Sequence, residues 1–445
     1  MEKDLTQGHI TKSMLLFALP MIIGNLFQQF YNIADTLIVG NFIGSDALAA
    51  VGASYSLMTF LTSVFLGLCM GSGIFFSMKF GSGDLDAMKS GVWMAFVFIG
   101  IITLLINIAV FLWIDPLLRL LQIPDPIYLM TKDYLLHIFI GILFVFLYNF
   151  FSGFLRAIGN SVIPLVCLII SAVVNIILDL YFVLVLKTGV AGAADATVIA
   201  QGLSALLIIL YTITRVPAFR LKRKHLKFKK TLLSQILSFS LLTCLQQSIM
   251  NLGILMVQGL VNSFGVTVMA AFSAAVKIDS FAYMPVQDFG NAFSTFIAQN
   301  HGAKKSDRIQ KGIRSAILTA LIFCVTISFF VFTFSESLMT IFVQPEEQEI
   351  IRIGSEYLRI EGACYCGIGC LFLFYGLFRG LGLPGISLIL TIVSLGLRVL
   401  LAYALAPIPQ IGIYGIWWAI PIGWFTADLI GVIFYRFNKD KLLSQ

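Results

Sequence analysis

The chain has 445 residues, 59% hydrophobic and 11% charged, with a mean hydropathy of +0.96 and a net charge of +7. That balance excludes a water-soluble globular protein. The positive charge could suggest nucleic acid, but most basic residues fall on one side of the apolar runs, which argues for a topological role instead.

Twelve apolar runs are long enough to cross a bilayer as helices. They fall at roughly 13–39, 47–76, 92–114, 133–155, 162–186, 190–215, 234–261, 268–299, 312–335, 353–378, 385–406 and 412–437. Period-two alternation is absent, so the expected fold class is an all-α integral membrane bundle and not a β-barrel. Residues 1–12 are short and polar, and the run that follows is too long for a signal-peptide core, so no cleavable signal is expected. If the N-terminus is cytoplasmic, 22 of the 29 Lys and Arg fall on the cytoplasmic side. The positive-inside rule then places both termini in the cytoplasm of a multi-pass protein of the cell (inner) membrane.

The first run carries Asn25, Gln28, Asn32 and Asp35, spaced to share one helical face that Tyr31 borders. Pro20 removes a backbone donor earlier in the same run and is expected to kink it. The fifth run contains Asn175 and Asp179 at i and i+4, and the sixth contains Thr197 and Gln201 at the same spacing. Ionisable groups at membrane depth are costly and usually serve an ion or proton path. Oxygen donors around two carboxylates suit either a small hard cation or a shared proton.

A basic stretch over 220–230 divides the chain into an N-lobe (1–215), a cytoplasmic linker (216–231) and a C-lobe (232–445). The halves repeat. A shift of 221 residues gives ten identities between 41–91 and 262–312, among them Gly44/Gly265, Phe75/Phe296 and Gly91/Gly312. A shift of 223 matches Gly153, Arg156 and Gly159 to Gly376, Arg379 and Gly382. Six crossings per half give both halves one orientation, so two pseudo-symmetric lobes around a central cavity are expected.

The second half differs in its polar residues. Gln247 and Asn251 share a face of the seventh run, and Lys277, Ser280, Met284, Asp288 and Asn291 lie near one face of the eighth. Arg398 stands where the repeat puts Asn175, and pairing with a carboxylate such as Asp288 is expected. Asp279 points off that face, and neither it nor Asp428 receives a role. The candidate substrate-cavity residues are Asn25, Gln28, Tyr31, Asn32, Gln201, Gln247, Asn251, Met284 and Asp288. The seven cysteines read as small apolar core residues, with no metal or disulfide framework. No catalytic motif appears, so an enzyme is not expected.

Residues 20–25 (ProMetIleIleGlyAsn), 32–36 (AsnIleAlaAspThr), 154–160 (PheLeuArgAlaIleGlyAsn) and 175–179 (AsnIleIleLeuAsp), with the duplicated halves, resemble the multidrug and toxic compound extrusion (MATE) family, in its DinF-like branch. The resemblance covers the whole chain. It implies an antiporter that exports drug-like compounds by alternating access, with Asp35, Asn175, Asp179 and Thr197 as the cation or proton residues and Pro20 as a bending point. Where the NorM-like branch carries a glutamate, residues 243–248 read ThrCysLeuGlnGlnSer. Gln246 and Gln247 thus stand in place of an acid, which argues against a NorM-style C-lobe Na+ site. The expected partners are an amphipathic, cationic small molecule and the lipid bilayer, for a monomer with no cofactor beyond H+ or Na+. A flippase for a lipid-linked or peptide-linked precursor is the alternative, favoured if Arg398 and Lys277 line a cationic cavity.

Overall fold

The computed structural model describes residues 4–120 and 123–444. Fifteen α-helices are found among the described residues. They are α1 (Ile10–Phe42), α2 (Ser45–Gly81), α3 (Leu85–Leu112), α4 (Ile114–Leu120), α5 (Asp125–Ile140), α6 (Ile142–Ala157), α7 (Val162–Leu180), α8 (Gly189–Arg215), α9 (Lys230–Asn262), α10 (Val266–Gly302), α11 (Ser306–Met339), α12 (Gln348–Ala363), α13 (Tyr365–Gly380), α14 (Pro384–Leu405) and α15 (Ile413–Ser444). Ten are long and apolar enough to span a bilayer. Two bent pairs raise the number to twelve: α5 with α6, at 43°, and α12 with α13, at 53°. The all-α membrane fold therefore stands, with one refinement. The fourth and tenth runs are broken at Gly141 and Cys364, where the chain departs from a straight helix, so that two sixteen-residue halves form each span.

The repeat is structural as well as sequential. α2 and α10 each have 37 residues and each follows a glycine at positive φ, Gly44 (120°) and Gly265 (99°), a conformation that favours glycine. A Cβ added at Gly91 would meet the Phe75 ring at 2.3 Å, and one added at Gly312 would meet Phe296 at the same distance. A shared steric requirement thus explains two of the identities between the halves.

The chain divides into two compact units, one of residues 23–244 and one of residues 4–22 with 245 onward. The division falls inside two helices. α1 changes unit two residues after Pro20, and α9 changes unit after Cys244. Helical structure continues through Pro20.

In the first unit, Gly67 and Gly71 let α2 approach the backbone of α9. A Cβ at Gly67 would lie 2.5 Å from Cys244 Cα, and one at Gly71 would lie 2.3 Å from the Phe239 carbonyl oxygen. Small residues four apart provide this close packing in membranes, where burial of apolar surface supplies little drive. In the second unit, Gly376 and Gly380 on α13 do the same against Gly290 and Ser294 of α10. The exposed residues of α11 include Leu318, Ile322, Val325 and Phe329, a helical stripe suited to lipid.

The seven cysteines are free thiols, buried or half-buried.

Candidate functional site

The site in the first unit is assembled by α1, α5, α7 and α8. Gly24 faces Leu165 and Leu168 of α7 at van der Waals distance, which lets the later part of α1 run close to α7. α7 gives way to a π-helical turn, Tyr181–Val185, two residues after Asp179. Such turns redirect side chains and recur at functional sites. Ser171 on α7 donates to the Ala200 carbonyl of α8 at 2.7 Å, fixing the two helices together one turn from Asn175.

Within this frame Asp179 is fully buried and Asn175 nearly so. The Asn175 side-chain amide donates to the Thr197 hydroxyl at 3.4 Å. Asp35 and Asp179 lie within each other's electrostatic reach, and both act on the hydroxyls of Tyr31 and Tyr134. Tyr134, on α5, is a member of this group that the sequence did not single out. Its signal was available, since Tyr134, Ile138 and Gly141 recur at helical spacing along one apolar run.

Five oxygen atoms of the group have no hydrogen-bond donor among the described residues: Asp35 Oδ1, Asn175 Oδ1, both carboxylate oxygens of Asp179 and Gln201 Oε1. Among the described residues, no Lys or Arg forms an ion pair with either acid. Buried acceptors without donors are rare, because each loses its hydration uncompensated. The set presents hard oxygen ligands and negative charge, the donor chemistry for H+ or a small cation.

Gln201 depends on the break in the α5–α6 span. A Cβ at Gly141 would lie 2.7 Å from Gln201 Oε1, so a larger residue there would push the amide aside. A small cavity of about 30 Å³ adjoins it, walled by Thr62, Phe65, Ile138 and Gln201. That is room for about one water.

The expected polar stripe of α1 is partly exposed. Gln28 is exposed, while Asn25, Tyr31, Asn32 and Asp35 are half-buried. His137 is also engaged in this unit. Its Nδ1 lies 2.7 Å from Asp195 Oδ1, and its Nε2 lies 3.7 Å from Asp133.

The second unit gathers a different cluster. Asp279 on α10, Glu361 on α12 and Arg398 on α14 act on one another, with Tyr283, Tyr357 and Tyr365 around them. Asp279 and Glu361 are both buried. The carboxylates that Arg398 acts on include Asp279 and Glu361, so Asp279, given no role from the sequence, belongs to a charged cluster. Glu361, inside the tenth apolar run, was not singled out from the sequence. Its spacing from Gly354, Tyr357 and Leu358 nonetheless puts it on the buried face of α12.

The other second-half candidates are dispersed. Asp288 is buried, and Gln247, Asn251 and Met284 are half-buried. Asn291 accepts a hydrogen bond from the Arg379 guanidinium at 2.9 Å. The Lys277 ammonium sits 5.9 Å from the Phe342 ring centroid. At the position of the missing glutamate, Gln246 is buried and its amide donates to the Thr391 hydroxyl at 3.1 Å.

Known proteins share this plan. The MatE family model matches residues 20–181 and again 240–404, one stretch in each half of the repeat. The probable multidrug resistance protein YpnP of Bacillus subtilis is 29% identical over 444 residues, covering 99% of this chain and 98% of its own length. A second protein of that bacterium, the probable multidrug resistance protein YoeA, is 27% identical over 440 residues, covering 97% and 95%. The solved structure of a MOP superfamily transporter from Pyrococcus furiosus has the same fold, with a TM-score of 0.93 at 23% identity over 99% of this chain and 98% of that one. Matched in both halves, on helices that repeat in length and in contact, this chain belongs to the MatE family of multidrug and toxic compound extrusion transporters.

Proposed function

We propose that the chain is a secondary-active multidrug exporter of the cell membrane, with both termini cytoplasmic, driven by inward movement of H+ or Na+ through the Asp35–Asp179 site. The observation that carries this reading is the set of donorless oxygens on α1, α7 and α8, with no paired cation. Two carboxylates within electrostatic reach of each other, one of them fully buried, are unstable as a doubly charged pair. A proton or a monovalent cation resolves that instability, and its arrival and departure supply the step that a gradient can drive. Asn175, Thr197 and Gln201 complete the oxygen set, and Tyr31 and Tyr134 flank it. Moving one elementary charge through about 100 mV provides roughly 2.3 kcal/mol, enough for a modest outward gradient of substrate.

The relatives named as multidrug resistance proteins support an amphipathic organic substrate. A cationic one fits the family resemblance and the abundance of aromatic and thioether side chains, which attract flat cations. The flippase alternative is less favoured, because Arg398 acts on Asp279 and Glu361 and Lys277 lies over the Phe342 ring.

The test is ethidium efflux from cells and everted vesicles, driven in turn by an imposed pH difference and by a Na+ gradient. Efflux should follow one gradient and vanish in Asp35→Asn and Asp179→Asn proteins that reach the membrane. Full efflux by both variants would refute the coupling assignment.

A further inference from the structure

The segment joining α8 to α9 is an ordered platform of unusual charge. Arg220, Lys222, Arg223, Lys224, Lys227, Lys229 and Lys230 fall within eleven residues, and no Asp or Glu occurs anywhere between Asp195 and Asp279. Two short 3-10 turns, Pro217–Phe219 and Arg223–Leu226, shape it. His225 is the buried pin. Its Nδ1 accepts from the Lys222 backbone N–H at 2.9 Å, which leaves Nε2–H to donate to Asp86 Oδ1 at 2.8 Å. Lys224 pairs with the other oxygen of Asp86. The Lys229 backbone N–H reaches Met94 Sδ at 3.5 Å, tying the end of the segment to α3 as well.

With Lys224 engaged, six basic side chains remain, all exposed and without an ion pair among the described residues. Two apolar side chains stand exposed among them, Leu226 at 42% and Phe228 at 61%. The platform begins five residues after one membrane-spanning helix ends, and its last residue opens the next. It therefore lies at the depth of lipid headgroups.

We propose that residues 220–230 form a docking platform for anionic phospholipid headgroups. The fixed backbone holds Arg220, Lys222, Arg223, Lys227, Lys229 and Lys230 toward phosphates, and Phe228 and Leu226 enter the boundary between headgroups and acyl chains. Basic clusters flanking a membrane helix attract anionic lipid in this way, and exposed aromatic and aliphatic side chains add interfacial anchoring. A soluble polyanion such as RNA would use the charges but leave Phe228 and Leu226 unexplained, so lipid is the better fit.

Native mass spectrometry of the full-length protein tests this, with phosphatidylglycerol and phosphatidylcholine titrated separately. The proposal expects phosphatidylglycerol to be retained in preference. An Arg223→Gln/Lys227→Gln/Lys229→Gln/Lys230→Gln protein should lose most of that preference, at least severalfold, and keep its phosphatidylcholine binding. Asp86→Asn raises the net charge but unpins His225, and should lower phosphatidylglycerol affinity. Phe228→Ser should weaken retention with the charge intact. Unchanged phosphatidylglycerol binding in the fourfold variant would overturn the proposal, as would a poly(U) oligonucleotide that binds the platform while phosphatidylglycerol shows no preference. A rise in affinity for Asp86→Asn would overturn the fixed platform. These outcomes do not depend on transport, so the result stands apart from the coupling assignment.

Discussion

Asn175 and Thr197, 22 residues apart in sequence, meet across α7 and α8 with the amide donating to the hydroxyl at 3.4 Å. The contact spends the amide's hydrogen on the neighbouring helix and leaves Asn175 Oδ1 beside Asp179 in the donorless set. Thr197→Val removes the hydroxyl and keeps the shape. Loss of one such hydrogen bond costs about 1 kcal/mol, so the coupling gradient needed for half-maximal efflux should rise about fivefold. Efflux measured against a graded ion gradient reads this shift, and an unchanged midpoint would remove Thr197 from the site.

Asp179→Asn should separate function from stability. It takes a buried charge without donors out of the protein while keeping nearly the same volume. Efflux should stop, whereas thermal unfolding in detergent should occur at the same temperature or higher. A fall of many degrees would show that Asp179 serves the fold instead.

The charged cluster of the second unit should respond in the opposite way. Arg398→Leu leaves Asp279 and Glu361 facing each other without their cation. Removing one partner from a buried ionic group costs about 3–5 kcal/mol. Adding Glu361→Gln to that variant should restore much of the loss. Thermal unfolding of the single and double variants checks it, and independent, additive effects would contradict the coupling.

Gly141 can be tested as the position that admits Gln201. Gly141→Ala introduces a Cβ 2.7 Å from Gln201 Oε1 and 3.0 Å from Val198. Efflux should fall while expression stays near normal, because the amide must turn away. If Gly141→Ala with Gln201→Ala transports better than Gly141→Ala alone, the clash is the cause.

Gly71→Leu should fail more severely. The backbone of α9 lies against Gly71 and has no room to give. Overpacking of this kind costs about 1–3 kcal/mol or more. Protein yield and unfolding temperature in detergent should both drop, and normal values would refute the close packing of α2 on α9.

Much of this was legible in the sequence, for definite reasons. Lipid demands that backbone groups be satisfied inside each span, so hydropathy alone set the helix class, and its twelve runs correspond to ten long helices and two bent pairs. The repeat could be read because the two halves share a steric problem, as Gly91 against Phe75 and Gly312 against Phe296 show. Asp35, Asn175, Asp179 and Thr197 stood out because polar groups in long apolar runs are costly. The breaks at Gly141 and Cys364 were not legible, since neither residue obliges a helix to bend. The unit boundaries within α1 and α9 were not either, because a continuous helix carries no local mark of which neighbours it packs against.

The sequence by itself determined that this is a two-fold repeated helical membrane protein with acids in the membrane, because solvent and backbone chemistry act on each segment locally. Only the tertiary structure decided which acids have partners. It set Asp35 and Asp179 together without a cation and Asp279 and Glu361 together with Arg398, because electrostatic neutralisation depends on distances between helices that spacing along the chain does not contain.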